Sequence, residues 1–367
     1  MRFTVAEIHT KFLKENLAQI RARVPHTPIM AMVKANAYGH GIVKCSQILR
    51  GEGVEMLGVA FANEAMMLRN TGDTGEIVVM TPPEAEEAEF FCQYNLQAVA
   101  SSLEVMVALS NEFFKNGKVL KAHLYIDTGM RRDGIEPSEA VEFMRVCAEL
   151  KNVEIIGICT HFATSDDADK TFVIEQLERF KNCVDLLKEA GFEFQYIHAA
   201  NTGAISDLAD SHFNLIRPGI SLYGYSPSDV LKTPLDLKPV MVLKTRIISL
   251  RKIPAGESVS YARRYFTTDE TTIGSIPIGY GDGFPRALTN RAEVLIRGKR
   301  FNQVGAICMD QCMVDLDDED IHIGEEVVLL GKQGNEEITA AEIAAKLGTI
   351  VYEVLTNISA RVPRVYV

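Results

Sequence analysis

An alternation constrains this chain more than any single motif. Short apolar runs at 29–33, 56–60, 77–80, 97–100, 122–126, 155–159, 195–198 and 213–216 are separated by longer stretches, most of them amphipathic at helical spacing. Helical patterns fall at 42–51, 63–69, 137–150 and 168–190, and another follows Ser101 or Ser102, either of which suits an N-cap. Roughly eight β/α units in a little over two hundred residues fit a (β/α)8 TIM-type barrel. A doubly wound sheet gives the same alternation.

The pattern changes after Pro227. Pro234 and Pro239 punctuate a linker-like stretch, and from Val240 period-two alternation takes over at 240–250, 271–276, 293–296 and 326–330. One helix is expected at 339–347. The reading is an α/β fold with two domains, a barrel over 1–232 and a mostly-β C-terminal domain over 233–367. The first residues read as a short strand and an amphipathic helix, without the apolar core of a signal peptide.

Composition narrows the partners. A net charge of −11 argues against a nucleic-acid partner. No apolar run is long enough to span a membrane. The 7 cysteines are an odd number with no paired metal spacing, which favours reduced thiols, a cytoplasmic location and no metal site.

Unusual polar residues fall just after the apolar runs, where barrels carry their catalytic groups. Lys34 ends the first run, and burial there would lower its pKa and leave an amine able to attack an aldehyde. The bland alternative is a lysine that snorkels to water. Asp127 to Gly134 (DTGMRRDG) has turn composition. His161 also suits a satisfied core histidine, and Asn201-Thr202 a helix cap. Arg217-Pro218-Gly219 follows the last run, and alone would be a surface arginine before a turn.

Taken together, VKANAYGHG (33–41), DTGMRRDG, THFATSDD (160–167), HAANT (198–202), RPGI with LYG (217–224), VSYARRY (259–265), IGYGDGFPR (278–286), GAICMDQCM (305–313) and YEVLTNISARVPR (352–364) resemble the alanine racemase family. The match spans nearly the whole chain and both domains. The resemblance implies pyridoxal 5'-phosphate carried on Lys34 as a Schiff base. It implies Tyr38, Asn201, Thr202, Gly219, Ile220 and Tyr352 around the cofactor, mostly at its phosphate, with His161 packed on the ring. Arg217 would face the pyridine nitrogen. A guanidinium has no acceptor and keeps its proton, so the ring becomes a weaker electron sink, which suits racemisation better than transamination.

For substrate, the resemblance implies Arg132 and the Met309 backbone amide at the carboxylate, and Tyr280 near the entrance. It assigns the catalytic acid/base pair to Lys34 and Tyr265, with Tyr265 supplied by the second subunit of a homodimer with shared sites. A phenol ionises near pH about 10, so Tyr265 needs a partner to act as a base. Two departures stand out. Tyr125 occupies a position where members often have a lysine, carbamylated in some, that holds the arginine. Ala306 occupies a position where many have arginine. The expected function is interconversion of L- and D-alanine by two bases on a pyridoxal phosphate aldimine, supplying D-alanine for peptidoglycan. A racemase for serine or several amino acids, a decarboxylase, and a cofactor-binding protein without turnover are the alternatives.

Overall fold

A computed structural model describes residues 3–317 and 319–367. The chain divides into two compact units, one of Leu13–Ala37 and Ile42–Lys238, the other of the chain up to Phe12, Tyr38–Gly41 and Pro239–Val367.

The first unit is the barrel. Its strands Met30–Met32, Met56–Val59, Glu76–Val79, Gln97–Ala100, Leu120–Tyr125, Val153–Cys159 and Tyr196–His198 are all parallel and pair in chain order. Residues 214–218 fill the eighth position and close the ring. On one side the Asn214 and Arg217 amides donate to Ile197 and Ala200. On the other, Met30 N–H donates to Ile216 (2.9 Å), Ile216 N–H to Pro28 (3.1 Å) and Met32 N–H to Pro218 (3.0 Å). Closure rules out the doubly wound sheet. The last expected strand is a single bridge, Ile29 to Ile216, because Pro218 has no N–H to extend a ladder. Around the ring the helices bury one face. In Leu103–Lys115 the buried residues Met106, Leu109, Ser110 and Phe113 follow the helical period, and Ser102 is the cap, accepting from the Val105 amide.

The second unit is mostly β. A path of strands runs from Ser249–Ile253 through Thr271–Ile276, Cys312–Asp315, Lys299–Val304, Glu293–Ile296, Glu326–Gln333 and Met241–Arg246 to Val5–Ile8 and Arg364–Tyr366. The strand Val5–Ile8 is antiparallel to Met241–Arg246 and parallel to Arg364–Tyr366. The chain's first strand therefore belongs to the β unit, and the break lies at Lys238/Pro239, not near residue 232. Strand partners more than two hundred residues away leave no mark in a local pattern, so the opening strand reads as part of the barrel. The expected helix is Ala340–Leu347, capped by Thr339. A second helix, Val351–Thr356, is too short to show a period in the sequence. No helix among the described residues is long and apolar enough to cross a membrane.

Two glycines isolate backbone strain from steric overlap. Gly72 and Gly283 share the same φ of +92°. A Cβ at Gly72 meets nothing within 4 Å, whereas one at Gly283 overlaps the Asn357 carbonyl. Gly72→Ala should cost about 1–2 kcal/mol, the left-handed penalty alone. Gly283→Ala should cost at least about 3 kcal/mol, because backbone must also move. Urea denaturation of the two variants measures both, and equal losses would contradict this account.

Candidate active site

The site starts from Lys34 and the backbone that follows it. Ala35, Asn36 and Ala37 lie at φ/ψ of 51/52°, 55/44° and 54/52°, and Tyr38 has φ of 51°. Four consecutive non-glycine residues thus form a left-handed turn, at about 1–2 kcal/mol each. Local bonds hold it. The Ala37 amide donates to Val33 O (2.8 Å), Ala35 N–H to Glu64 Oε1 (2.6 Å) and Ile42 N–H to Asn36 Oδ1 (2.9 Å). The second Glu64 oxygen accepts from Ala60 N–H at 2.7 Å, so one carboxylate serves the start of helix Ala62–Asn70 and the turn together. Burial lowers the Lys34 pKa, and Arg132 and then Arg217 lower it further, against an opposing pull from Glu64. A neutral amine is the nucleophilic form.

Arg132 and Arg217 flank this lysine. Arg217 is 4 % exposed and donates to His198 Nδ1 (2.9 Å), Thr160 O (2.7 Å), Ala199 O (3.1 Å) and His161 Nδ1 (3.4 Å). His161 is held neutral, first by burial and then by Arg217, Arg132 and Lys34. Arg132 donates to Asp133 Oδ2 (3.0 Å) and to the Tyr125 hydroxyl (3.4 Å). Tyr125 is buried beside Val99, Cys159 and Met80, and burial raises its pKa. In this chain the arginine's deeper partner is therefore a neutral phenol.

A set of donors and hydroxyls gathers at the next strand ends. Gly219 N–H donates to Thr202 Oγ1 at 3.1 Å, and Thr202 Oγ1 lies 3.2 Å from Ser221 Oγ. Gly219 leads into the short helix Ile220–Tyr223, and Thr202 opens the helix Thr202–Asp207. Small hydroxyls beside a helix-opening amide suit an oxyanion such as phosphate. Asn201 has the plainer role, because its Oδ1 caps that second helix at Ala204 N–H (3.2 Å) and accepts from Ser165 Oγ (2.7 Å).

The remaining expected residues lie in the β unit. The Tyr38 and Tyr352 rings are 6.0 Å apart. Tyr280 N–H donates to Cys308 O (3.0 Å) and Gly281 N–H to Met309 O (2.9 Å), joining those two loops, and both the Tyr280 and Met309 side chains are exposed. Ala306 is buried, and its carbonyl accepts from Ser260 Oγ (2.7 Å). Tyr265 departs from the role expected of it. Its hydroxyl donates to Asp315 Oδ2 at 2.6 Å, and burial, that bond and the Asp315 charge push its pKa up to about 12. A phenol so held is a poor base. Tyr261, four residues earlier in the same segment, is 72 % exposed. Left-handed residues surround it: Ser260 (φ 69°), Ala262 (φ 59°) and Arg263 (φ 49°). Elsewhere among the described residues, the Lys34 turn apart, left-handed non-glycines occur singly. Such strain gathers at functional sites. No group of three or more metal-ligating side chains is assembled among the described residues.

Residues 8–227 match the family model of the alanine racemase N-terminal domain, and 240–366 that of the C-terminal domain. An alanine racemase of Carboxydothermus hydrogenoformans is 44 % identical over 371 residues, covering 100 % of both chains. The solved alanine racemase of Clostridium difficile 630 superposes with a TM-score of 0.96 at 38 % identity, over 100 % of this chain and 96 % of that one. A histidine racemase from Leuconostoc mesenteroides has the same fold, with a TM-score of 0.92 at 26 % identity over 100 % and 98 % of the two chains. With both domain models matched over almost its full length, this chain belongs to the alanine racemase family.

Proposed function

We propose that this protein racemises alanine with pyridoxal 5'-phosphate, and that it supplies D-alanine for cell-wall synthesis. The observation that carries the reading is Lys34, an amine of lowered pKa on a strained turn, flanked by two arginines and a neutral histidine. The residues present fit the cofactor. Lys34 offers the amine that would hold it, and the Thr202 hydroxyl with the Gly219 amide offers donors for its phosphate. Ile220, Tyr38 and Tyr352 are assigned to the same phosphate, and Asn201 supports it by fixing the helix that Thr202 opens. When bound, this cofactor supplies an aldehyde for the amines and a conjugated ring that acidifies a substrate Cα–H.

The chain's own groups do the rest. Arg217 is a donor only, so it can hold the ring nitrogen without protonating it. His161, neutral and against Arg217, is assigned to the ring face. Arg132 and the Met309 amide are assigned to the substrate carboxylate, with Tyr280 at the entrance. Inverting a stereocentre needs a proton removed from one face and returned to the other, which two opposed acid/base groups accomplish. Lys34 is one of them. For the other we assign Tyr261, from the second copy of a homodimer, in place of Tyr265. The exposed ring of Tyr261 is available to a partner, whereas the Tyr265 hydroxyl is committed to Asp315.

Four measurements test this. Borohydride reduction of the protein with pyridoxal phosphate, followed by peptide mapping, should label Lys34, and a label on a different lysine would contradict its role. Tyr261→Phe should lower kcat by at least about a hundredfold, as expected for loss of a general acid/base. Tyr265→Phe should keep kcat within about threefold and lose about 1–2 kcal/mol of stability with its hydrogen bond. The opposite pattern would return the base to Tyr265. Tyr125→Phe removes a partner of Arg132 and should raise KM for alanine about tenfold with little change in kcat. An unchanged KM would mean that the phenol does not hold the arginine. Side-by-side turnover of alanine, serine, lysine, arginine and histidine fixes the substrate.

A further inference from the structure

We propose that Glu76, Gln97 and His123 form, with His198, a one-way hydrogen-bond relay across the barrel that positions Arg217, so that His123 is a positioning residue for the reaction. The inference rests on the cofactor role assigned to Arg217 above. Four bonds link the five groups. Arg217 Nη1 lies 2.9 Å from His198 Nδ1, and His198 Nε2 lies 2.9 Å from His123 Nδ1. His123 Nε2 lies 2.8 Å from Gln97 Oε1, and Gln97 Nε2 donates to Glu76 Oε2 at 2.7 Å. Both histidines are fully buried, and Gln97 is 5 % exposed. Glu76 sits at the outer end, half exposed and paired with Lys121.

The direction of every bond follows from chemistry. A guanidinium can only donate, so His198 Nδ1 accepts. A neutral imidazole has one donor and one acceptor, so His198 Nε2 carries the proton and donates to His123 Nδ1. His123 in turn donates from Nε2 to the Gln97 oxygen, which leaves the Gln97 amide nitrogen facing a carboxylate. Burial, reinforced by Arg217, keeps both rings neutral. No ring can change tautomer without setting two donors or two acceptors face to face.

The neighbouring strand is built to admit this chain. His123 and His198 stand on strands separated by Val153–Cys159, so their contact must cross that strand. It does so at Gly157, the Cα partner of His123, where a Cβ would overlap His123 Nδ1. The pairing shifts register between Ala122 and His123, which brings the ring over that glycine. The Tyr196 ring stacks on His123 at a centroid distance of 6.0 Å. Without the His123 acceptor, the buried His198 Nε2–H has no partner, and the ring that accepts from Arg217 is held at one end only. Loss of the relay therefore loosens the guanidinium, and the cost falls on kcat.

The full-length protein, labelled with 15N-histidine, tests this in two ways. Spectra should show His123 and His198 as neutral Nε2–H tautomers, a readout that needs neither cofactor nor substrate. Either ring as Nδ1–H or as imidazolium would overturn the relay. In kinetics, His123→Leu should lower kcat about tenfold at nearly constant KM and should change the His198 signal, in the range typical of outer-shell partners. His123→Gln, whose amide keeps one acceptor and one donor, should restore most of that loss. If His123→Leu does not fold, Gln97→Leu removes the acceptor of His123 Nε2–H and should give the same split. A folded leucine variant with unchanged kcat and an unchanged His198 signal, or a glutamine variant as impaired as leucine, would contradict the proposal. Failure of the racemase reading is separable, because it would appear as no racemisation by the wild type beside an intact tautomer pattern.

Discussion

The left-handed turn after Lys34 is the constraint on which the site depends. A chain of L-residues avoids this conformation, at about 1–2 kcal/mol per residue. Here it persists through four non-glycine residues because the ends are pinned by Val33 O, Glu64 and Asn36. The turn stops the strand abruptly, so that Lys34 stands half-buried at the strand's end, within the influence of Arg132, Glu64 and Arg217. Glu64 couples that geometry to an ordinary structural element, since the same carboxylate caps the next helix. Backbone strain, helix capping and the lowered lysine pKa are thus one arrangement.

The electrostatics around Lys34 have a single character. Arg132 and Arg217 bring positive charge, and the groups that touch them are neutral: a buried phenol, the buried His198, the half-buried His161 and backbone carbonyls, with Asp133 the exception on Arg132. Two arginines so little compensated favour anionic ligands, and they add to burial in lowering the lysine pKa. Such a set suits a phosphate-bearing aldehyde and a carboxylate-bearing amine. The phenol at Tyr125 matters here, because it steadies Arg132 without cancelling its charge.

Much of this was legible in the sequence. The alternation of short apolar runs and helical patterns reported the barrel, because most residues of the parallel strands are buried whichever face they point to. Lys34, His161 and Arg217 were visible as polar residues placed directly after those runs. The left-handed turn was not visible, since Ala-Asn-Ala-Tyr carries no glycine to announce it. Val5–Ile8 reads as part of the barrel because its partners lie more than two hundred residues away in the chain. The segment VSYARRY contains two tyrosines, and nothing in a linear string says which hydroxyl is already taken. The bond from Tyr265 to Asp315 exists only in the fold. The relay through His123 was equally hidden, since Glu76, Gln97, His123 and His198 are ordinary strand residues until the ring closes.

The proposed racemisation takes a proton from one face of the substrate Cα and returns another to the opposite face. Incubation of the purified protein with pyridoxal phosphate and L-alanine in D2O, following chirality and Cα deuterium together, tests it most directly. The expected product is D-alanine carrying solvent deuterium. Deuterium entering L-alanine without inversion would show a single working base and contradict the claim.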